Sequence, residues 1–342
     1  MIRKTIDKVL NSVEGTGQTT EQAETGVTAA IKKYLAQSQT ATIFVIFVVI
    51  FIISSILSEN FLTPYNLSTM AFNLSFVGIV TLAQGSLLLQ GDIDISLGSI
   101  AGLAAVITAT LMMQTGINPI VTIFIGIAFG ALFGTINGSL VTYFNLNPIV
   151  LTIGAMYAYD GFNLVYTEGR NITGFPLYIT RLGGGQLFGV PIPLFFFLGV
   201  FVIYYFLTKK TVYGRKIYAL GDNREAARIV GIKVDKLRII GYSLAGAFSG
   251  LAGILMAFRM AAAQSTIGDP WLLPSIAGPI IGGIAIKGGI GSITGALIGA
   301  ALMVVVGNII VLAGVAAYWQ QAVNGSIIIF AVVMDSVAKK YR

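Results

Sequence analysis

The chain of 342 residues is 56% hydrophobic and only 10% charged, where a soluble domain carries about 25% charged residues. That balance excludes an ordinary water-soluble domain and implies a polytopic membrane protein. With neither Cys nor His, disulfides, thiolate metal sites and the commonest general base are all ruled out. A net charge of +7 could suggest nucleic acid, but the basic residues are placed as membrane topology requires, so no nucleic-acid partner is expected.

Residues 1–40 are polar, with Arg3, Lys4, Lys8, Lys32 and Lys33 among Thr, Gln and Glu. No apolar run follows the basic start, so this stretch reads as a cytoplasmic tail with one surface helix near 20–37, not as a cleaved leader. Ten apolar runs follow, at 41–57, 67–89, 93–113, 119–143, 148–166, 191–208, 239–258, 274–286, 292–313 and 318–334. Several have the roughly 20 residues that cross about 30 Å of hydrocarbon as a helix. The short run at 274–286 carries Pro274, Pro279 and a Gly pair, which predicts a broken or re-entrant helix enclosed by protein. The fold class is therefore all-α, one membrane domain over 41–338 with about ten helices, ending in a short tail at 339–342.

Ten spans put both ends of the chain on one side, and 18 of the 21 Lys and Arg residues then share that side. Arg170, Arg181 and Arg259 are the exceptions. By the positive-inside rule the tails and the loop 209–238 are cytoplasmic, and the longest outward segment is 167–190. The lipid bilayer itself is the first partner that this layout implies.

Gly126, Gly130, Gly134 and Gly138 repeat at i+4, as do Gly291, Gly295 and Gly299. Each ladder predicts a flat helix face that lets a neighbouring backbone come close. The ladders suggest an inverted repeat, whereas the similar strings GSIAG (98–102) and GSITG (291–295) imply another offset, and the conflict stays open.

Polar residues within apolar runs are candidates to line a hydrophilic route: Asn73, Gln84, Gln90, Asn137 and Asn163. Asp92 and Asp94 lie in QGDIDISLGS (90–99), where their carboxylates could either complement the N-terminus of the next helix or stand at the mouth of a pathway. Asp160 reads as a solvated carboxylate near the outer end of its run. No phosphate-cradling GxxxxGK[ST] loop exists, GGIGS at 288–292 reads as a turn, and the chain is not expected to hydrolyse ATP or to hold a cofactor.

The loop 209–238 holds nine basic residues and a helix of its own. Asp222 or Asn223 serves as N-cap, Glu225 suits the first turn, and Gly231 stops the helix. Ala226, Ala227, Ile229 and Val230 form a small apolar stripe, which suits insertion into a groove of a partner protein; lying on anionic lipid is the other reading.

The stretch GRKIYALGDNREAARIVGIKVDKLRIIGYSLAG (214–246) closely resembles the cytoplasmic coupling loop of bacterial ABC importer permeases of the ribose/galactose/xylose type. QGDIDISLGS resembles a second signature of that family, normally Gly-Gly-Ile-Asp-Leu-Ser-Val-Gly-Ser, and VYTEG (165–169) and GSITGALIGA (291–300) match further. The resemblance covers roughly 60–335. It implies that Asp222, Asn223, Glu225, Ala226, Ala227 and Gly231 form a helix that docks on an ATPase subunit, and that Asp94 and Ser96 are the family's Asp and Ser. It also implies a double-cassette ATPase carrying ATP and Mg, an external solute-binding protein, and a second permease, identical or homologous. Asn73, Gln84, Asp92, Asp94, Ser96 and Asn137 are then the candidates for the translocation pathway. Asp92 and Asp222 depart from the family, which usually has Gly at both, and Leu272 and Pro274 stand where the ribose-type pattern has acidic residues. A sugar or sugar-like solute is the main expectation. Nucleosides, autoinducer-2 and branched-chain amino acids are alternatives, and an ion-coupled transporter using Asp94 or Asp160 is a rival of a different class.

Overall fold

In the computed structural model, residues 39–315 are described, together with 319, 322, 323, 325, 326 and 329. The expected surface helix at 20–37, the C-terminal tail and most of the run at 318–334 lie outside the described residues. The helices, in chain order, are α1 Gln39–Leu57, α2 Pro64–Leu89, α3 Leu97–Gln114, α4 Pro119–Tyr143, α5 Pro148–Thr167, α6 Leu177–Gly184, α7 Ile192–Lys210, α8 Val212–Asp222, α9 Arg224–Ile229, α10 Val234–Met260, α11 Leu272–Ile281 and α12 Ile293–Leu312. Seven of them (α1, α2, α3, α4, α7, α10 and α12) are long and apolar enough to cross a membrane, so the count of about ten is not reached among the described residues. The shortfall has local causes. α5 has the length but carries Asp160 and Asn163, and α11 is only 10 residues long.

Chain punctuation sets many of these ends. α2, α4 and α5 each begin with a capping residue followed by Pro, which costs no hydrogen bond at the first helical position. The Asn118 side chain accepts from the Ile120 N–H at 2.9 Å, and Asn147 accepts from Ile149 at 2.9 Å.

α2 is the central helix, and residues 81–90 at its inner end are all buried. The glycine ladder of α4 packs on α10 as its spacing predicts. A methyl group at Gly134 would be driven into the Tyr242 carbonyl, and one at Gly246 into the Gly130 carbonyl. The second ladder does the same on the short helix α11, where Gly295 and Gly299 meet the carbonyls of Gly282 and Gly278.

Arg170, Arg181 and Arg259 gather at one end, where two-residue strands β1 (Ile172–Thr173) and β4 (Ala262–Ala263) pair antiparallel and α6 packs on the C-terminal part of α10. A second small hairpin, β2 (Gln186–Leu187) with β3 (Val190–Pro191), leads into α7. The nine basic residues of 209–238 and Lys287 lie at the opposite end, with α8, α9 and the α11–α12 turn.

Two stretches interrupt the helical crossings. The third apolar run was expected from residue 93, but residues 91–96 are unwound and α3 starts only at Leu97. Between β4 and α11 the chain runs without α-helix past Gly102 and Gly98 of α3 before a 3-10 turn at Asp269–Trp271. The predicted break in the crossing around 274–286 is thus present, and it begins earlier than the sequence suggests.

Candidate functional site

Unwound backbone among apolar helices needs a partner for every N–H and C=O, because no water is at hand to supply one. The segment Gly91–Ser96 meets that demand largely with side chains from four helices. Arg224 of α9 donates to the Gly91 carbonyl at 2.8 Å, and Tyr242 of α10 donates to the Ile93 carbonyl at 3.4 Å. Gln84 of α2, with its amide turned so that donor meets acceptor, donates to the Asp94 carbonyl at 3.0 Å and accepts from the Asp94 N–H at 3.3 Å. Thr152 of α5 accepts from the Ile95 N–H at 3.1 Å. The Asp94 carboxylate accepts from the Ser96 N–H at 2.8 Å and the Ser96 hydroxyl at 2.6 Å. The Asp92 N–H turns back to the Leu87 carbonyl at 3.0 Å.

Asp94 is the centre of a buried polar network. Asn137 of α4 donates to its other carboxylate oxygen at 3.2 Å and to the Ser96 hydroxyl at 2.8 Å, and Tyr159 of α5 donates to the Asn137 amide oxygen at 2.8 Å. Asp94, Ser96, Gln84 and Asn137 are all buried. This network ties the unwound segment to α2, α4 and α5 at once.

Asp92 belongs to a different cluster. Its carboxylate is fully enclosed and takes a two-pronged contact from Arg238, Nε to Oδ2 at 2.9 Å and a terminal nitrogen to Oδ1 at 2.8 Å. Arg224 adds a third contact at 2.8 Å. The sequence offered Asp92 as a complement to the N-terminus of the next helix or as a residue at the mouth of a pathway; the structure places its carboxylate in an ionic cluster with two arginines. Sequence reasoning missed Arg224, Arg238, Tyr159, Thr152 and Tyr242. One signal was available for Arg238, which directly precedes a long apolar run just as Asp92 follows one.

Asn73 stands apart from these residues, exposed on α2. Asp160 differs from its expected role as a solvated carboxylate. It lines a cleft of about 200 Å³ with Ile95, Gly98, Ser99, Met156, Gly268, Asp269 and Leu272, where the two unwound stretches face each other. Its Oδ1 is buried without a partner among the described residues, and so are both ends of the Asn163 amide one turn further on.

The helix α9 runs Arg224–Ile229, and its N-cap is Asn223, whose side chain accepts from the Ala226 N–H at 3.0 Å. Gly231 has the left-handed backbone, φ +81°, expected just past a helix end. Asp222 closes the preceding helix α8, which the loop reading did not anticipate. Ala227 faces inward with Leu220, Val234 and Leu237, so it is not part of the outward stripe. Glu225 and Ala226 are exposed, and Ile229 and Val230 are 85% and 74% exposed. One helix thus presents two apolar side chains outward and sends Arg224 inward to Asp92.

Residues 66–332 match the family described as the permease component of the branched-chain amino acid transport system. The chain belongs to that permease family. It is 36% identical to the ribose import permease protein RbsC of Bacillus subtilis over 84% of this chain and 89% of that protein. It is 32% identical to the D-allose transport system permease protein AlsC of Escherichia coli, over 87% and 92%, and 35% identical to the Escherichia coli RbsC, over 84% and 91%. No solved structure matches it. The protein is a multi-pass membrane permease subunit of an ABC importer, and ATP hydrolysis falls to a separate subunit.

Proposed function

We propose that this permease imports a monosaccharide by alternating access. The observation that carries the solute class is the likeness to ribose and allose permeases along more than four fifths of the chain. The cleft adds a chemical reason. Two carboxylates (Asp160 and Asp269) and the Ser99 hydroxyl surround a space of about 200 Å³, and carboxylates and hydroxyls are the acceptors and donors that sugar hydroxyls pair with. An apolar amino-acid side chain would leave those groups unpaired at a cost.

In this reading both termini and the α8–α9 end face the cytoplasm of a bacterial inner membrane, and the chain crosses about ten times, two of the crossings being α5 and the broken α11 passage. Two permeases, identical or homologous, enclose the route, with Asn73 on the face turned to it. A soluble binding protein delivers solute from outside. A double-cassette ATPase carrying ATP and Mg receives α9, with Ile229 and Val230 as its apolar anchors and Asp222, Asn223, Glu225, Ala226 and Gly231 shaping the contact. Gln84, Asp94, Ser96 and Asn137 hold the unwound segment behind the route.

Reconstitution of the permease with its ATPase and binding protein in liposomes tests the proposal. ATP-dependent, uncoupler-insensitive uptake of ribose or allose is expected, with leucine and nucleosides excluded. Uptake of leucine, or uptake driven by an ion gradient without ATP, would sink it. Ile229→Asp with Val230→Asp is expected to release the ATPase subunit on purification, and retention of that subunit would remove α9 from the interface.

A further inference from the structure

The unwound segment and the α8–α9 segment meet at one compact junction. Gly289 donates its N–H to the Leu89 carbonyl at 3.0 Å. A Cβ on Gly288 (φ +91°) would lie 2.6 Å from Gly91 N and 2.9 Å from Gly221 Cα, so three turns touch backbone to backbone where only glycine fits. Tyr218 of α8 donates to the Gly291 carbonyl at 3.0 Å, and burial raises the pKa of its phenol, which stays a donor.

Charge closes the junction. Arg224, the first residue of α9, holds both the Gly91 carbonyl and Asp92, while Arg238 of α10 holds Asp92 from the other side. We propose that the Arg224–Asp92–Arg238 clasp is the positioning link through which movement of α9 reaches the unwound segment, Asp92 serving transmission and not solute contact.

The choice of an ionic clasp has a physical reason. An apolar contact can slide, whereas a guanidinium fork on a carboxylate fixes both distance and direction. Parting Arg224 from Asp92 would take one of two guanidinium partners from an enclosed carboxylate and the donor from the Gly91 carbonyl at the same time, which favours moving the segment along with it. Asp94 lies two residues on, so a displaced Asp92 pulls directly on the Asn137 and Tyr159 network and hence on α4 and α5.

The inference rests on α9 being the ATPase contact, and the test separates the two. Wild-type permease must first retain the ATPase subunit and show solute-stimulated hydrolysis; failure there removes the reading of α9. Arg224→Gln is the variant of choice, because that side chain is 37% exposed and the buried Asp92–Arg238 pair survives it. The ATPase subunit is expected to stay bound and hydrolysis to continue, while solute moved per ATP falls by about five-fold or more, a typical strength for coupling between sites. Arg224→Lys, which keeps the charge and loses the fork, is expected to recover part of that loss. A wild-type transport ratio in Arg224→Gln overturns the proposal, and so does loss of the ATPase subunit, which would make Arg224 a docking contact.

Discussion

The two unwound stretches solve the same problem in opposite ways. In Gly91–Ser96, all six residues have a backbone group held by a side chain or turn, and both carboxylates are saturated with donors. Along the stretch before α11, the facing side chains Asp160 and Asn163 keep buried polar atoms without partners among the described residues. A saturated segment is stiff, because every displacement costs several bonds together. A half-satisfied one has spare valence for something that passes. On the proposed function, the first stretch transmits and the second receives.

That contrast is broken most severely at Asp92. Asp92→Asn leaves Arg238 buried without a counter-charge, and a loss of about 3–5 kcal/mol is expected, read as a large drop in unfolding temperature in detergent. If Asp92→Asn melts like the wild type, the inner junction is not saturated in the sense claimed.

Close packing supplies the next effect. Gly134→Leu on the α4 ladder forces α4 away from Tyr242 and Gly246, with an expected cost of about 2–3 kcal/mol. The same change at Gly154 on α5, where no atom of the described residues lies within 4 Å of the Cβ position, is expected to be nearly silent in the same melting assay.

How much of this could be read from the chain follows the range of each interaction. The cap at Asn223, the stop at Gly231, the α4 ladder and Gly295 and Gly299 of the second ladder are local or periodic and stand where the sequence placed them, whereas Gly291 lies in the turn before α12 with φ +122°. α8 was missed because Arg215 and Lys216 interrupt its apolar face, leaving Ile217 and Leu220 too sparse to show a period. Ala227 was placed on the outer stripe because its inward neighbours Val234 and Leu237 belong to the next helix. The clasp was invisible for a stronger reason: Asp92 lies 132 residues from Arg224 and 146 from Arg238, and no spacing rule spans that gap. Asp94 and Ser96 could be picked out by resemblance and Asn137 as a polar residue in an apolar run, but not the Tyr159 that completes their network.

Asn137→Ala tests that network at moderate cost. It removes two donors from Asp94 and Ser96 and the acceptor of Tyr159, yet polar bonds between membrane helices are individually weak, so about 1–2 kcal/mol is expected. Asn137→Asp keeps the acceptor but places a second carboxylate beside Asp94, and it is expected to melt lower than Asn137→Ala. The reverse order would mean that shape, not hydrogen bonding, holds the segment.

The smallest stability effect and the sharpest functional one belong to the cleft. Asp160→Asn preserves shape, removes a carboxylate whose Oδ1 has no partner among the described residues, and keeps an amide oxygen that can accept from Ser99, so melting is expected to shift by less than about 0.5 kcal/mol equivalent. Sugar uptake is expected to fall nonetheless, because an amide nitrogen cannot accept from a hydroxyl as the carboxylate oxygen does. Asp92→Asn would instead lower stability and uptake together, through loss of fold. A variant at Asp160 that unfolds the protein, or one that leaves both stability and uptake untouched, would erase the difference between the receiving stretch and the transmitting one. Loss of uptake on an unaltered fold, with a raised half-saturation concentration for solute instead of the loss of solute moved per ATP expected for Arg224→Gln, is the result expected of a solute-facing carboxylate.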